Sequence, residues 1–247
     1  MHEIISFSGG RSSAFMVLEV LKRNPNAEVI YADTGAEHPA TYRFIKDFAR
    51  MTGIKITCLR GIVPEGVASR KGKKKKWGVE ILTPDDLCFD LSMLKDMKRY
   101  YANGNNSLTM VHHRGCLASS RLKIYTMERY LNKKYGKGNY VRWLGIRADE
   151  PKRLKPKEGV KYLADISSKT KEEITEWWSK QPFDLHLPGD FAGNCVFCPK
   201  KNYRKLQTMA KIQPDLLIAW LKVVGDDKCY RENQSLTEVL ERDENSC

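Results

Sequence analysis

Ile4-Ile5-Ser6-Phe7-Ser8-Gly9-Gly10-Arg11-Ser12-Ser13-Ala14-Phe15-Met16-Val17-Leu18 decides the architecture of this chain. An apolar run ends, two glycines permit a tight turn, and hydroxyl residues open an apolar-periodic helix whose unpaired N–H groups and dipole face an anion. The segment therefore predicts a strand, a phosphate-binding loop and a helix; the plainer alternative is a strand-to-helix turn with a serine cap. Two better known phosphate loops do not fit. There is no Gly-Lys-Ser/Thr ending, and Gly9-Gly10 lacks the third glycine of the dinucleotide fingerprint.

Working outward, residues 29–33 read as a second strand, 39–52 as a helix with proline in its first turn, and 54–59 as a third strand. Such β-α-β-α-β spacing predicts a parallel sheet with right-handed crossovers and a ligand beyond the carboxyl ends of the strands. Ser8 and Asp33 fall at those ends, so two segments converge on one crevice. From 61 to 109 the pattern gives way to glycine, proline and charge, including Arg70-Lys71-Gly72-Lys73-Lys74-Lys75-Lys76-Trp77. This run is either a solvated loop or a polynucleotide contact in which the lysines meet phosphates and Trp77 stacks on a base. Order returns with a basic amphipathic helix over 117–134, strands over 140–145 and 161–165, a helix over 169–180 capped by Thr170, and helices over 203–224 and 235–241. The expected organisation is a nucleotide-binding α/β domain over 1–165 with a basic insertion at 61–109. A cysteine-bearing helical extension over 166–247 follows.

The 247 residues can bury a substantial core, and 43 Lys plus Arg against 30 Asp plus Glu give a net charge of +13. That field attracts polyanions, nucleic acid above all. No stretch approaches the roughly 20 apolar residues of a membrane span, and the N-terminus carries no signal pattern, so a cytoplasmic protein is expected. Seven cysteines, an odd number, point to thiol or metal chemistry rather than a secreted disulfide framework.

Gly193-Asn194-Cys195-Val196-Phe197-Cys198-Pro199-Lys200-Lys201 sets two thiols at a spacing that lets both face one metal or cluster; a redox dithiol, half a zinc site and part of an iron–sulfur site remain open. Cys116, in His112-His113-Arg114-Gly115-Cys116, opens the basic helix, where the dipole and the nearby Arg114 and Arg121 favour its thiolate. Adjacent histidines in a strand point to opposite faces, so at most one of His112 and His113 is a ligand. Cys58 and Cys88 read as packing residues, and Cys229 and Cys247 as candidates for a fourth ligand. After the strand at 140–145, Gly145-Ile146-Arg147-Ala148-Asp149-Glu150-Pro151-Lys152-Arg153 concentrates arginines suited to phosphate or sulfate beside acids that orient them or help hold Mg²⁺.

Taken together, these motifs resemble a known superfamily. Ser8-Gly9-Gly10-Arg11-Ser12-Ser13 is similar to the PP-loop of N-type ATP pyrophosphatases, and Ala32-Asp33-Thr34-Gly35-Ala36-Glu37-His38-Pro39 to that superfamily's adenosine-side loop. Cys116 with Arg121-Leu122-Lys123, the 145–153 segment and the 193–198 segment resemble the phosphoadenosine phosphosulfate (PAPS) reductase family, especially its bacterial and phage-borne branch with extra cysteines. The resemblance implies a doubly wound α/β fold of the adenine nucleotide alpha hydrolase type. It also implies either cleavage of ATP with pyrophosphate release to adenylylate a substrate, or binding of an adenylyl sulfate. Carried over, Ser8, Gly9, Gly10, Arg11, Ser12 and Ser13 would hold phosphate or sulfate, Asp33, Thr34 and Glu37 would line the adenosine side, and Arg121, Lys123, Arg147 and Arg153 would contact the nucleotide. Cys116, Ser12 and Arg147 would act in catalysis, and Cys116, Cys195 and Cys198 would hold metal.

The cofactors so implied are ATP or PAPS, Mg²⁺ and a [4Fe-4S] cluster, with zinc as the alternative. The partners are an adenine nucleotide, DNA or tRNA, and a sulfur donor or partner protein. Ser12 stands where the pyrophosphatase loop usually has aspartate, and the reductase's C-terminal Glu-Cys-Gly-Leu-His segment is absent. The expectation is therefore nucleotide-dependent sulfur transfer to nucleic acid. PAPS reduction releasing sulfite and a non-catalytic nucleotide- and DNA-binding regulator are the alternatives.

Overall fold

Apolar residues in unbroken runs form the central strands, as expected where both faces of a parallel sheet are covered. The computed structural model describes residues 1–68, 76–101, 111–112, 115–228, 230–231 and 234–242. The run at 70–75, His113, Arg114, Cys229 and Cys247 lie outside them. The first half follows its predicted course through β1 (His2–Phe7), α1 (Arg11–Arg23), β2 (Glu28–Asp33), α2 (Pro39–Thr52) and β3 (Ile56–Ile62). Pro39 opens α2 and Gly53, at φ 68°, ends it in the left-handed conformation that favours glycine.

Beyond these come β4 (Gly78–Leu82), α3 (Ser92–Tyr101), the short ribbon β5 (Val111–His112) with β6 (Gly115–Cys116), then α4 (Thr126–Tyr135), β7 (Tyr140–Leu144), β8 (Val160–Tyr162) and α5 (Lys171–Ser179). The main sheet has the order β4-β3-β2-β1-β7-β8. All its neighbours are parallel except β3 and β4, which pair antiparallel. The fold is thus the expected α/β class with an antiparallel edge strand added, since no helix among the described residues bridges β3 to β4 as a parallel crossover would require. The chain runs outward from β1 to β3 on one side and through β7 and β8 on the other, which makes the gap between β1 and β7 the topological switch point.

Four expectations need correction. The insertion at 61–109 is not patternless, because it supplies β4 and α3. Trp77 is only 4% exposed and packs against Tyr100 and Tyr101, so it offers no stacking platform. The helix predicted over 203–224 is two, α6 (Tyr203–Ile212) and α7 (Pro214–Val223), because Pro214 cannot continue the first. The strand expected over 161–165 ends at Tyr162 and passes into a 3₁₀ turn, Leu163–Asp165.

Packing follows the pleat. Ile5 and Phe7 face α1, α2 and α5 in one core with Phe15, Phe44, Phe48 and Trp178. Ile4, Ile30 and Leu59 face Met127 and Leu131 of α4 on the opposite side. A third cluster joins Leu94 and Met97 of α3 to Leu206, Trp220 and Leu236 of α6, α7 and α8 (Leu236–Leu240), with Val196 and Phe197 inside it. No helix among the described residues is long and apolar enough to cross a membrane.

Candidate nucleotide site and thiol rim

The glycine turn after β1 is held from beneath. Gly9 sits at φ 75°, and the buried Ser13 Oγ accepts from the Ser8 N–H (3.1 Å), the Ser8 hydroxyl (2.9 Å) and the Gly10 N–H (3.3 Å). Ser13 therefore shapes the loop from inside. The first intrahelical bond, Ala14 N–H to Gly10 O, leaves the N–H groups of Arg11, Ser12 and Ser13 without helical acceptors, as at any helix start.

Gly145 lets the segment after β7 press onto this loop, since a Cβ there would lie 3.0 Å from Ser13 Cα. Arg147 then reaches across and donates to Ser12 Oγ at 3.0 Å, while Asp149 (2.8 Å) and Glu150 (3.3 Å) fix its guanidinium. Ser8, Gly10, Ser12, Arg147, Arg153, Lys171 and Asn194 are among the walls of a cavity of about 320 Å³. Glu150 also pairs with Arg153, so the one acid lining this cavity among the described residues is engaged by two arginines. The fit to Mg²⁺ is correspondingly poor. Arg11 is committed elsewhere: its fork grips both Asp184 oxygens at 2.7 Å and the Leu185 carbonyl at 2.8 Å, tying α1 to the segment after α5.

A second cavity, about 540 Å³, meets the first at Ser8, Gly145 and Arg153, and its walls include Ser6, Ala32, Lys123, Ile124, Met127, Leu144 and Ile146. A largely apolar chamber opening onto one lined by arginines and hydroxyls matches the two halves of a nucleotide. Ile124 and Met127, on the helical stretch that follows Cys116, carry no signal in the sequence that distinguishes this wall from any apolar helix face. The helix expected as one piece is π-helical over Ser119–Tyr125 before it becomes α4, a widening often found at functional sites.

Asp33 lies at the end of β2 as predicted, but fully buried. Its Oδ1 accepts from Gly35 N–H (2.9 Å) and Tyr42 OH (3.1 Å), and its Oδ2 from Arg60 Nε (3.2 Å) and a terminal guanidinium nitrogen (2.8 Å). It builds the loop that Thr34 and Glu37 occupy. Glu37, 4% exposed at its side chain, accepts from Lys123 Nζ at 2.6 Å. Burial alone would lower Lys123, yet the Glu37 carboxylate outweighs it and holds the ammonium above its ordinary value. Arg121 lines neither cavity; its guanidinium lies 5.7 Å over the Tyr125 ring and its Nε is buried without a hydrogen-bond partner among the described residues.

The paired cysteines are stitched to this loop. Val196 N–H donates to Ala36 O at 2.9 Å, residues 37 and 195 form an antiparallel bridge, and Cys195 Sγ stands 4.0 Å from both Thr34 Oγ1 and Glu37 Oε1. Burial, then the Glu37 carboxylate, push the Cys195 thiol up to about 12. Burial also raises Cys198. Cys116 receives the Ser119 N–H at 3.5 Å, as its place at a helix start requires. Cys116 is among the neighbours that disfavour the thiolates of both Cys195 and Cys198, so the three sulfurs share one region of the molecule. Even so, no three His, Cys, Asp or Glu side chains among the described residues are gathered as a metal-holding group. The described trio does not by itself fit an iron–sulfur cluster or zinc.

Lys201 stands three positions after Cys198 at the end of the thiol segment, and its sequence neighbours give no sign of its burial. It is 9% exposed, and its Nζ donates to Val196 O at 2.9 Å, between the two cysteines. Burial pulls its pKa from 10.5 to about 8. Between those values the unfolded chain holds a proton that the folded one has released, so this group's contribution to stability rises with pH across that window. Replacing it with an uncharged isostere removes the dependence. Lys201→Met is expected to stabilise relative to the parent by about 3 kcal/mol near pH 7.5, with the difference shrinking toward pH 10.5. Denaturant melts at both ends of the range check this, and a pH-independent difference refutes it.

A glycine-turned phosphate loop at the switch point, an arginine crossing to it and an adjoining apolar chamber define a nucleotide-utilising α/β protein of the PP-loop type. Residues 2–171 match the phosphoadenosine phosphosulfate reductase domain, and the chain belongs to that family, whose members are generally enzymes. It is also 38% identical over 231 residues to the uncharacterized nin region protein ORF290 of Escherichia phage lambda, a match spanning 91% of this chain and 74% of the phage protein.

Proposed function

We propose that this protein is a nucleotide-dependent sulfur-transfer enzyme that modifies nucleic acid. The observation carrying this is the stitched rim: the Ala36–Val196 hydrogen bond and the 37–195 bridge hold Cys195 against Glu37, whose ion-pair partner Lys123 walls the larger cavity, while Asn194, the residue before Cys195, walls the smaller one. The nucleoside of ATP occupies the apolar chamber, and its phosphates lie over the Ser8–Ser12 turn. A substrate oxygen attacks the α-phosphorus, pyrophosphate leaves, and the helix-start N–H groups with Arg147 stabilise the developing charge. A persulfide donor passes its outer sulfur to one of Cys116, Cys195 and Cys198; that sulfur attacks the adenylylated carbon and AMP leaves. A second of the three thiols then breaks the S–S bond so that the sulfur stays on the substrate, and the resulting protein disulfide is reduced by an external thiol. A [4Fe-4S] cluster or zinc on these thiols, as the family resemblance implies, requires them to draw together, and no step is assigned through it. Iron, zinc and sulfide analysis after anaerobic purification tests that part.

Pyrophosphate release from ATP that depends on added DNA or tRNA is the expected result, and its absence with both overturns the proposal. Arg147→Ala is expected to weaken ATP binding about tenfold, the scale of one charge-assisted hydrogen bond, while the fold is retained. Titration calorimetry reads this, and unchanged affinity removes Arg147 from the site.

A second reading has a specific observation in its favour: the anion cavity is ringed by arginine and its acid is engaged, which suits a sulfate-bearing nucleotide held without Mg²⁺. Sulfite release from PAPS with reduced thioredoxin, lost in Cys116→Ser, would establish that reading in place of the first.

A further inference from the structure

Helix α4 has two flanks. Along one, the π segment and Met127 wall the apolar nucleotide chamber against β1 and β7. Along the other lies a separate cleft of about 480 Å³, lined by Val79 and Ile81 of the edge strand β4 and by Arg129, Tyr130, Lys133 and Lys134 of the helix. Ile81 is 62% exposed, an uncommon state for a large apolar side chain on the helix-facing side of a strand. Lys134 is tied to Glu28 at 2.8 Å, whereas Arg129 and Lys133, one helical turn apart, form no ion pair among the described residues. Glu28, the acid at the cleft's edge, is already held by Lys134, Tyr130 and Tyr135.

We infer that this cleft binds a single-stranded polynucleotide, with Arg129 and Lys133 on its phosphates and the Val79–Ile81 strip against its bases. Charge complementarity selects the occupant: two uncommitted cations beside an apolar strip, on a chain of net charge +13, suit a polyanion that also exposes flat apolar faces. A duplex turns its bases inward and leaves the apolar strip unused. The cleft and the nucleotide chamber are separated by the width of one helix, on the order of 10 Å, so a strand lying here passes close to the site proposed above. The inference deepens that proposal by naming the class of nucleic acid and where it docks, yet binding at the cleft requires no catalysis.

Fluorescence anisotropy with a fluorescein-labelled oligothymidylate of about 20 nucleotides, using the full chain, tests it. Arg129→Ala/Lys133→Ala is expected to weaken binding about tenfold at roughly 0.1 M salt and to reduce the slope of log K against log salt by about 1.4, the value for two lost phosphate contacts. Lys211→Ala/Lys222→Ala, which removes the same charge from exposed positions on α6 and α7, is expected to cost less than threefold. An equal loss in both pairs, tighter binding of the matching duplex, or displacement of the strand by polyglutamate at equal charge each overturns the assignment. Circular dichroism melts confirm that the variants fold. Oligonucleotide binding that survives without any pyrophosphate release leaves this inference standing and removes the catalytic proposal alone.

Discussion

Gly35→Ala is expected to destabilise the protein by about 4 kcal/mol, lowering Tm by roughly 10 °C. Gly35 stands at φ 70°, and a Cβ there would lie 1.8 Å from the Asp90 carbonyl oxygen. The obstacle is backbone, so no side-chain rotation relieves it. The strands of chain must part, which also strains the 2.8 Å bond from Asp90 N–H to Gly35 O and the 2.9 Å bond from Gly35 N–H to Asp33. Gly53→Ala supplies the control, since it carries a similar φ of 68° with nothing within 4 Å of the added methyl. It is expected to cost about 1 kcal/mol, the left-handed penalty alone. Equal melting temperatures for the two variants would show that the Gly35 contact yields freely.

Lys123→Met carries the second large effect. It would leave the Glu37 carboxylate, 4% exposed, without the ammonium now 2.6 Å away. A buried carboxylate stripped of its partner costs about 3 kcal/mol, whereas removing both charges at once is close to neutral. Lys123→Met is therefore expected to lose roughly 3 kcal/mol, and Glu37→Gln/Lys123→Met to recover most of it. Chemical denaturation of the four species of this cycle measures the coupling. The Cys195 thiol reports independently: Lys123 is the cation that pulls it down, so its alkylation near pH 8 should slow in the single variant. Additive losses across the cycle would show that the pair is a surface ornament.

How far the sequence carries the fold depends on whether the deciding contacts are local. The phosphate loop is legible because its glycines, hydroxyls and flanking apolar runs are contiguous, and α2 because Pro39 and Gly53 punctuate it. Asp33 stands at the expected strand end, but the partners that hold its carboxylate there, Tyr42 and Arg60, lie 9 and 27 positions away and leave no local trace. Strand β4 gave no signal because its exposure does not alternate, and Trp77 was misplaced because its partners on α3 are distant in sequence. The convergence of Cys195 with Thr34 and Glu37 spans 161 and 158 positions. Spacing within the Cys195–Cys198 motif could announce a thiol pair but not the wall it would join.

The apolar cluster shared by α3 and the three C-terminal helices makes two remote parts of the polypeptide interdependent. Val196 and Phe197, the residues enclosed by the paired cysteines, sit inside that cluster with no exposure at all. The spot where sulfur chemistry is proposed is therefore anchored by an insert from mid-chain and by the tail together. A relative that has discarded the stretch between β3 and the π segment must also have dropped or rebuilt its terminal helices, and the two should be gained and lost as a unit.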